Sequence, residues 1–290
     1  MPSLRDIRNR ITSVKSTRQI TKAMKMVAAA KLRRAQDAIL KTRPYAQLLD
    51  QALTRVAARA AADGAATHPL LAPREATRAE VVVITSDRGL AGGFNSNISR
   101  RVQRFLTEDA ERFEKTTLTT IGRKGRDFFR ARKVEIRKDF TGIHSGLDYT
   151  KADAIAREYT ERFLAGEVDA VFLAYNEFKS AISQKPVIVQ LLPIDTGAAA
   201  EATPTAIDFK YEPSREALLA DLLPRHISMQ VWRALLESAA SEHGARMSAM
   251  ESATKNAEEM ISALTLQYNR ARQAYVTKEL SEIVSGAEAL

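Results

Sequence analysis

The 290-residue sequence contains no cysteine, and only 6% of its residues are aromatic, with a single tryptophan. Disulfide bonds, thiolate metal sites and thiol-based regulation are therefore excluded within these residues, and the lack of cysteine is typical of a reducing compartment. The scarcity of aromatic side chains argues against an aromatic-rich binding surface. No apolar run approaches the roughly 18 residues of a membrane-spanning helix, so we expect no transmembrane span. The first predicted helix begins almost at Met1, so we expect neither a signal peptide nor a transit peptide.

Glycine and proline are rare at both ends of the chain. Residues 3–59 contain no glycine and one proline, Pro44, and residues 214–285 are interrupted only by Pro224 and Gly244. Both stretches are predicted to be long helices, of roughly 85 and 105 Å at about 1.5 Å per residue. The economical arrangement is that they pair with each other. Because the first leads into the middle of the chain and the second leads out of it, the pair must be antiparallel, and the longer second helix should overhang.

Apolar residues recur along the first stretch at the three- to four-residue spacing of a helix face. Ser3 and Asp6 form a short capping box that predicts the helix start, and Pro44 is expected to bend or interrupt the helix near Thr42. The matching face of the second stretch is small and polar, which is unsuited to a permanent grip. The predicted faces are Leu4, Ile7, Ile11, Val14, Met24, Val27, Ala28, Leu32, Ala35 and Ile39 in the first helix, and Ala245, Ala249, Ser252, Asn256, Met260, Ala263, Leu264, Gln267, Ala271 and Ala274 in the second.

The segment between the two helices alternates predicted strands with predicted helices. Such alternation indicates a parallel or mostly parallel sheet with helices on its faces. We therefore predict an α/β fold, in which the terminal helices form a long antiparallel coiled coil and the middle forms a Rossmann-like globular domain. The predicted strands lie near 81–84, 117–121, 134–137, 170–175 and 187–192. One predicted helix follows the loop at 86–97 and ends near 113, and two more span about 124–131 and 149–164.

Four segments are predicted along the chain. An N-terminal coiled-coil helix covers residues 1–59 and is followed by a connector over 60–78, where small residues, glycine and proline cluster. The α/β globular domain covers 79–205. The C-terminal coiled-coil helix covers 206–290 and pairs with the first.

The net charge of +9 is unevenly distributed along the chain. Residues 1–59 carry 14 Lys and Arg against 3 Asp and Glu, whereas residues 60–204 carry 21 against 20 and residues 205–290 carry 9 against 12. The positive excess is therefore assigned to the first helix. Such a stripe would attract nucleic acid, anionic lipid or an acidic protein surface, and charge alone does not choose among them.

Residue patterns of catalytic or metal sites are absent. The four histidines have no metal-ligand spacing, and Ser145 is one position away from a nucleophile elbow. The loop at residues 86–97 follows a predicted buried strand and enters a helix, which is the geometry that binds phosphate. Its glycines match neither the dinucleotide fingerprint nor a phosphate loop, so we predict a tight turn with Asn95 or Ser96 capping the next helix. Residues 122–125 are predicted to form a solvated turn. We expect no cofactor, no metal and no catalytic residue.

Three stretches resemble the signatures of one known family, the gamma subunits of rotary ATP synthases. They run from Ile11 to Lys31 (ITSVKSTRQITKAMKMVAAAK), from Ser86 to Asn95 (SDRGLAGGFN) and from Arg246 to Leu290, the last including NRARQ and EIVSGAEAL. The resemblance covers both helices and the domain between them. Position 91 is alanine where several relatives have cysteine, which agrees with the absence of thiol control.

The resemblance implies a non-catalytic rotor subunit, present in one copy, that couples rotation of a membrane c-ring to conformational change at three catalytic sites. Its implied partners are three alpha and three beta subunits, an epsilon subunit and the c-ring, with no nucleic acid. Its implied place is peripheral, on the cytoplasmic face of a bacterial inner membrane.

The resemblance also implies which residues contact these partners. Residues that would face the catalytic ring are Met24, Lys25, Arg246, Arg272, Gln273 and Thr277. Among these, Met24 and Lys25 would lie at acidic loops of the catalytic subunits. Phe209 and Tyr211 would lie on the side of the c-ring and the epsilon subunit.

Two alternatives come from other functional classes. A nucleotide-binding α/β protein would use the loop at 86–97, and ATP binding by the isolated chain would favour it. A nucleic-acid-binding coiled coil would use the basic stripe, and salt-sensitive binding to random DNA would favour that hypothesis. The stripe has few aromatic residues for base stacking and no recognition motif.

Overall fold

The structure, a computed structural model, describes residues 3–62, 68–72, 74–108, 112–195, 212 and 214–288. A mixed α/β fold with very long terminal helices of 59 and 74 residues is observed, so the predicted fold class is confirmed. Among the described residues, no helix combines the length and apolar character needed to cross a bilayer. In chain order the elements are α1 (Leu4–Ala62), β1 (Arg78–Ile84), α2 (Phe94–Glu108), β2 (Lys115–Ile121), α3 (Arg123–Arg130), β3 (Ile136–Phe140), α4 (Tyr149–Leu164), β4 (Ala170–Phe178), β5 (Gln184–Leu192) and α5 (Arg215–Glu288).

The predicted capping box opens helix α1. The Ser3 hydroxyl accepts a hydrogen bond from the Asp6 backbone N–H at 3.2 Å, and the Asp6 carboxylate accepts one from the Ser3 N–H at 3.1 Å. These bonds satisfy amide groups that have no partner within the helix. Hydrogen bonds from Ser3 also hold the pKa of Asp6 below its usual value.

Proline interrupts neither long helix, so an interruption near Thr42, one of the two predicted effects of Pro44, is not observed. Helix α1 continues through Pro44, and α5 continues through Pro224. A proline inside a helix costs about 3 kcal/mol. Tertiary packing outweighs this cost here, because α1 buries Leu49 and Leu53 after its proline and α5 buries Leu223 beside its own.

The sheet has five strands in the order β3-β2-β1-β4-β5. Strands β1 to β4 are parallel, and the edge strand β5 runs antiparallel to β4. The central strand β1 is apolar and fully buried from Val81 to Ile84, as expected for a parallel strand covered on both faces. The mostly parallel sheet is therefore observed, with most strands somewhat longer than the sequence indicated.

The chain divides into two compact units. Residues 1–29 and 246–290 form one, which we call the coil unit, and residues 30–245 form the other, which we call the sheet unit. Two apolar clusters fill the sheet unit, one on each face of the sheet. The first joins α4 to parts of α1 and α5, and the second joins α2 and α3 to the sheet.

In the coil unit, α1 and α5 pack through a seam that repeats about every 3.5 residues, as in a left-handed coiled coil. Buried residues on α5 are spaced by seven, at Met250, Ala257 and Leu264. The face predicted from a 3.6-residue period drifts off this seam. Val27 is 57% exposed and Met260 is 46% exposed, although both were assigned to the buried face.

A buried ionic cluster joins the sheet to α4 in the sheet unit. Glu80 on β1 is fully buried and pairs with Arg137 at 2.7 Å and with Arg162. Thr119 donates a further hydrogen bond to Glu80 at 2.6 Å. Burial alone would lower the pKa of Arg137, but its bonds to Glu80 outweigh burial and raise it. Burial also raises the pKa of Tyr159, and the Glu80 carboxylate adds to that effect.

Replacement of Glu80 by alanine should destabilise the sheet unit strongly. Arg137 and Arg162 would lose their buried carboxylate, and breaking a buried pair costs about 3–5 kcal/mol. Urea denaturation followed by the fluorescence of Trp232, the single tryptophan, measures this loss because Trp232 lies in the sheet unit.

Asp221→Ala is the matched control in the same unit. It removes the exposed ion pair between Asp221 and Arg225, whose side chains are 56% and 58% exposed, and should change the free energy of unfolding by less than about 1 kcal/mol. Equal losses in the two variants would contradict the assigned role of Glu80.

Candidate functional site

The antiparallel pairing of the coil unit is fixed by two polar contacts. The hydroxyls of Thr21 and Thr254 lie 2.8 Å apart, and the Lys25 ammonium lies 2.7 Å from the Glu251 carboxylate. The higher residue number on α1 pairs with the lower residue number on α5, which confirms the antiparallel arrangement. Continuing this register brings Leu4, at the start of α1, to about position 271 of α5.

The C-terminal part of α5 extends beyond that register. From residue 272 to 285 every side chain is exposed, so the predicted overhang is observed within the coil unit. Five large apolar side chains are 47–64% exposed in this segment, although it remains helical. These are Tyr275, Val276, Leu280, Ile283 and Val284.

Three predicted contact residues lie in this exposed segment. Arg272, Gln273 and Thr277 are all exposed, and the last two are one helical turn apart. They therefore share a surface with the apolar side chains around them. Arg246, by contrast, is half-buried at the start of the α5 part of the coil unit. The predicted residues Phe209 and Tyr211 lie outside the described residues.

The predicted contact residues on α1 are less accessible. Met24 is half-buried, and the Lys25 side chain is 38% exposed and paired with Glu251. An exposed apolar group that the sequence analysis missed lies on another face of α1, where Ile20, Met26 and Val27 are 57–61% exposed. The 3.5-residue period would have identified this group, because Ile7, Ile11, Val14 and Thr21 already define the seam.

The loop between β1 and α2 is held by bonds within the chain. The Asn95 side-chain oxygen accepts a hydrogen bond from the Ser86 backbone N–H at 2.9 Å. Asp87 accepts one from the Arg123 N–H at 3.1 Å and one from the Gly142 N–H at 3.2 Å. Asn95 and Ser96 both lie inside α2, so the prediction that one of them caps the helix was wrong.

The segment 122–125 was predicted to be a solvated turn, and this was also wrong. Gly122 and Gly125 are buried at the start of α3, against Thr85. Gly122 has a φ of +97°, and a Cβ there would lie 2.1 Å from the Thr85 carbonyl oxygen. The Thr85 hydroxyl accepts the Gly125 N–H at 2.8 Å. The backbone therefore needs glycine at these two positions for packing.

This edge of the sheet is where α/β proteins commonly bind phosphate. Here Asp87 takes the amide at the start of α3, and its negative charge would repel a phosphate. His144 fills more of the same edge, with Nε2 2.7 Å from the Thr85 carbonyl oxygen, and so donates to it. The geometry favours a set of loops that hydrogen-bond to one another, which we call the internal joint, over a nucleotide-binding site.

A cavity of about 360 Å³ lies in the sheet unit between α1, α5 and strands β4 and β5. Asp50 and Asp195 line it, and His226 Nδ1 lies 3.0 Å from an Asp50 oxygen. Burial lowers the pKa of His226, and burial raises the pKa of Tyr175 in the same wall to about 12. The two carboxylates, Asp50 and Asp195, make this cavity a poor site for a phosphate. Across the described ranges of the chain, no group of acidic or histidine side chains could hold a metal ion.

Comparisons with known proteins agree on one family. The sequence model of the ATP synthase family matches residues 3–290. The ATP synthase gamma chain of Anaeromyxobacter sp. (strain Fw109-5) is 81% identical over 290 residues, which is the whole of both chains. The ATP synthase gamma chain of Geotalea uraniireducens (strain Rf4) is 51% identical over 100% of this chain and 99% of the relative.

Solved structures with the same fold come from ATP synthase assemblies. A chain in the OSCP/F1/c-ring structure of the Euglena gracilis mitochondrial ATP synthase is 25% identical with a TM-score of 0.70, covering 99% of this chain and 94% of that chain. A chain in the central stalk/c-ring structure of the Tetrahymena thermophila mitochondrial enzyme is 29% identical with a TM-score of 0.61, covering 81% and 99%.

Two glycine variants test the internal joint at the sheet edge. Gly142→Ala adds a side chain where φ is +76° but where no atom lies within 4 Å, and should cost about 1–2 kcal/mol from backbone strain alone. Gly122→Ala adds the overlap with Thr85 and should cost about 2 kcal/mol more. Urea denaturation followed by Trp232 fluorescence gives both values. An equal loss in the free energy of unfolding for the two variants would show that the overlap with Thr85 does not destabilise the protein.

Proposed function

Because the chain belongs to the ATP synthase gamma chain family, we propose that it is the central rotor of a proton-translocating ATP synthase. It is a non-catalytic subunit, and it would transmit rotation of the c-ring to the three catalytic sites of the complex. The catalytic chemistry would take place on its partners, and the contribution of this chain would be mechanical.

The observation that carries this proposal is the exposed C-terminal segment of α5. Large apolar side chains such as Leu280 and Ile283 are 57% and 64% exposed on a continuous helix. A surface of this kind marks a site covered by a partner. We propose that an apolar sleeve formed by the catalytic ring covers residues 272–285, and that Arg272, Gln273 and Thr277 make the polar contacts there.

A rotor acts on its neighbours through differences in contact energy. Each catalytic subunit has an equilibrium between open and closed states, and the rotor shifts it only by the difference between its contacts with the two states. The coil unit is asymmetric. Lys25 and Glu251 are paired across its two helices, whereas Ile20, Met26 and Val27 form an exposed apolar patch on α1. Three identical neighbours would therefore meet three different surfaces at any one time.

The contacts that α1 offers suit a moving surface. An exposed ion pair contributes only about 0–1 kcal/mol, so a basic side chain can leave one acidic loop and reach the next without a large barrier. We propose that Lys25, with Met24 beside it, faces such loops on the catalytic subunits, and that Lys25 exchanges Glu251 for a partner carboxylate. Arg246 would contribute to coupling from the α5 side.

The remaining partners follow from the family. We propose one copy of this chain for three alpha and three beta subunits, with an epsilon subunit and the c-ring on the side of Phe209 and Tyr211. The complex would place this chain peripherally, on the cytoplasmic face of a bacterial inner membrane. Similar chains occur in structures that contain the F1 part and the c-ring, which supports this arrangement.

We also propose a division of labour along the sequence. The segments at 1–59 and 206–290, which contain α1 and α5, would form the coupling element, with residues 60–78 as a connector, and the α/β domain at 79–205 would form the base that is driven by the c-ring. Support comes from the exposed apolar side chains at the C-terminal end of α5, since that end would be free to enter the catalytic ring.

Coupling should depend on helix continuity more than on any single charge. Lys25→Ala removes one exposed contact and should lower the rate of ATP synthesis by no more than about fivefold. Met24→Pro removes a backbone hydrogen bond within α1 and weakens the helix by about 3 kcal/mol, next to the contacts of Thr21 and Lys25 with α5, and should abolish coupled synthesis. ATP yield in membrane vesicles and single-molecule torque measure both effects in assembled complexes.

Arg5→Pro is the control for the proline substitution. Position 5 lies in the first turn of α1, where an N–H has no acceptor within the helix and proline is tolerated. Complexes with this variant should keep near-normal coupling. Equal torque and ATP yield for Lys25→Ala and Met24→Pro would count against a rotor that acts through a continuous helix.

A further inference from the structure

One face of the sheet unit carries a strong positive charge that the sequence conceals. Helices α2 and α3 lie side by side on the face of the sheet opposite α4. Residues 94–108 and 123–133 contain nine Lys and Arg against two Asp and Glu. Residues 60–204 as a whole are nearly neutral, with 21 against 20, so these two stretches hold a large share of the positive charge of that segment.

The positive side chains of this face are exposed and have few partners. Arg100, Arg101, Arg123, Lys124 and Arg130 are all exposed. In the described part of the chain, no carboxylate pairs with any of these five side chains. The two acidic residues on the face are already engaged, with Glu108 beside Arg104 at 3.7 Å and Asp127 beside Arg126 at 3.2 Å. Charge on this face is thus available to an external group.

We infer that the α2–α3 face is a docking surface for an acidic protein segment, one that presents several carboxylates along one side. Four of the five unpaired cations are arginines, and a guanidinium binds a carboxylate through two parallel hydrogen bonds. Such contacts are exposed and individually weak, so several must act together. Helices α2 and α3 belong to the sheet unit, so this surface shares no residue with the contacts proposed for the coil unit.

Two other anionic partners fit the face less well. A bilayer surface is bound most firmly when large apolar side chains insert beside the basic ones, and neither α2 nor α3 has an exposed large apolar side chain among its described residues. Single-stranded nucleic acid needs open aromatic rings for stacking. Phe128 is the aromatic side chain nearest the surface of α3, and the Arg132 guanidinium already covers its ring at 3.6 Å.

Binding of a defined acidic peptide tests the inference. The probe is a fluorescein-labelled helical peptide of about 14 residues with glutamates along one side, titrated with the full chain by fluorescence anisotropy at several salt concentrations. The triple variant Arg100→Gln, Arg101→Gln, Lys124→Gln removes three exposed ion pairs and should weaken binding by about tenfold. Binding by the unmodified chain should also fall with rising salt.

A second triple variant distinguishes the effect of this face on binding from the effect of net charge. Arg8→Gln, Lys15→Gln, Lys22→Gln removes the same charge from exposed positions on α1, and should weaken peptide binding by less than about twofold. Trp232 fluorescence checks that both variants are folded. Equal weakening in the two variants would overturn the inference, because binding would then report net charge alone.

Two further probes test the class of partner. Phosphatidylserine-containing vesicles and a short random-sequence DNA are titrated under the same conditions. Weaker binding of both than of the peptide supports the proposed partner. Tighter binding of either probe, lost in the α2–α3 variant, would show that the face serves a membrane or a nucleic acid and would refute an acidic protein partner.

Discussion

The structure depends on packing between the two ends of the chain. In the coil unit, residues near Thr21 meet residues near Thr254, and in the sheet unit Leu53 of α1 shares an apolar cluster with Leu223 of α5. Neither helix could bury its apolar face alone, since an isolated helix has no second surface to pack against. Closing so long a loop costs entropy, although that cost grows only slowly with loop length. Both units therefore require the complete antiparallel arrangement.

The two units are stabilised in different ways. The sheet unit has a dry apolar core and a fully buried carboxylate, Glu80, held by two arginines. The seam of the coil unit buries apolar side chains such as Ile7, Met250 and Leu264, and beside them lie paired hydroxyls and an ion pair that is 38% and 61% exposed. A buried core tolerates little displacement, whereas weak exposed contacts can be exchanged. The sheet unit is therefore held by rigid packing, and the coil unit carries contacts that can be exchanged.

The sheet edge illustrates why a fold does not determine a function. In many doubly wound proteins the loops at the carboxyl ends of the strands hold a nucleotide. Here the same loops bind one another, through Asp87, Thr85 and His144. The positions that a phosphate would need are used to fix the start of α3. The site chemistry, and not the topology, is what separates this chain from nucleotide-binding relatives of the fold.

The sequence by itself determined the secondary structure and its order. Scarce glycine and proline indicated the long helices, the β-branched run at 81–84 indicated a buried strand, and the direction of the chain required the helices to be antiparallel. These are local or topological properties, and helix period, strand period and chain connectivity express them directly. The exposed C-terminal overhang also followed from the unequal lengths of the two helices.

Only the tertiary structure decided which side of each helix or strand is buried and which side is exposed. It showed that Pro44 does not interrupt α1, because buried leucines beyond it outweigh the local cost. It placed Val27 at the surface instead of in the predicted seam, and it buried Gly122 and Gly125 at the start of α3, where a solvated turn was predicted. It also gathered the positive charge of α2 and α3 on one face of a nearly neutral segment. Packing and charge separation depend on distances between residues far apart in the chain, and local patterns do not contain those distances.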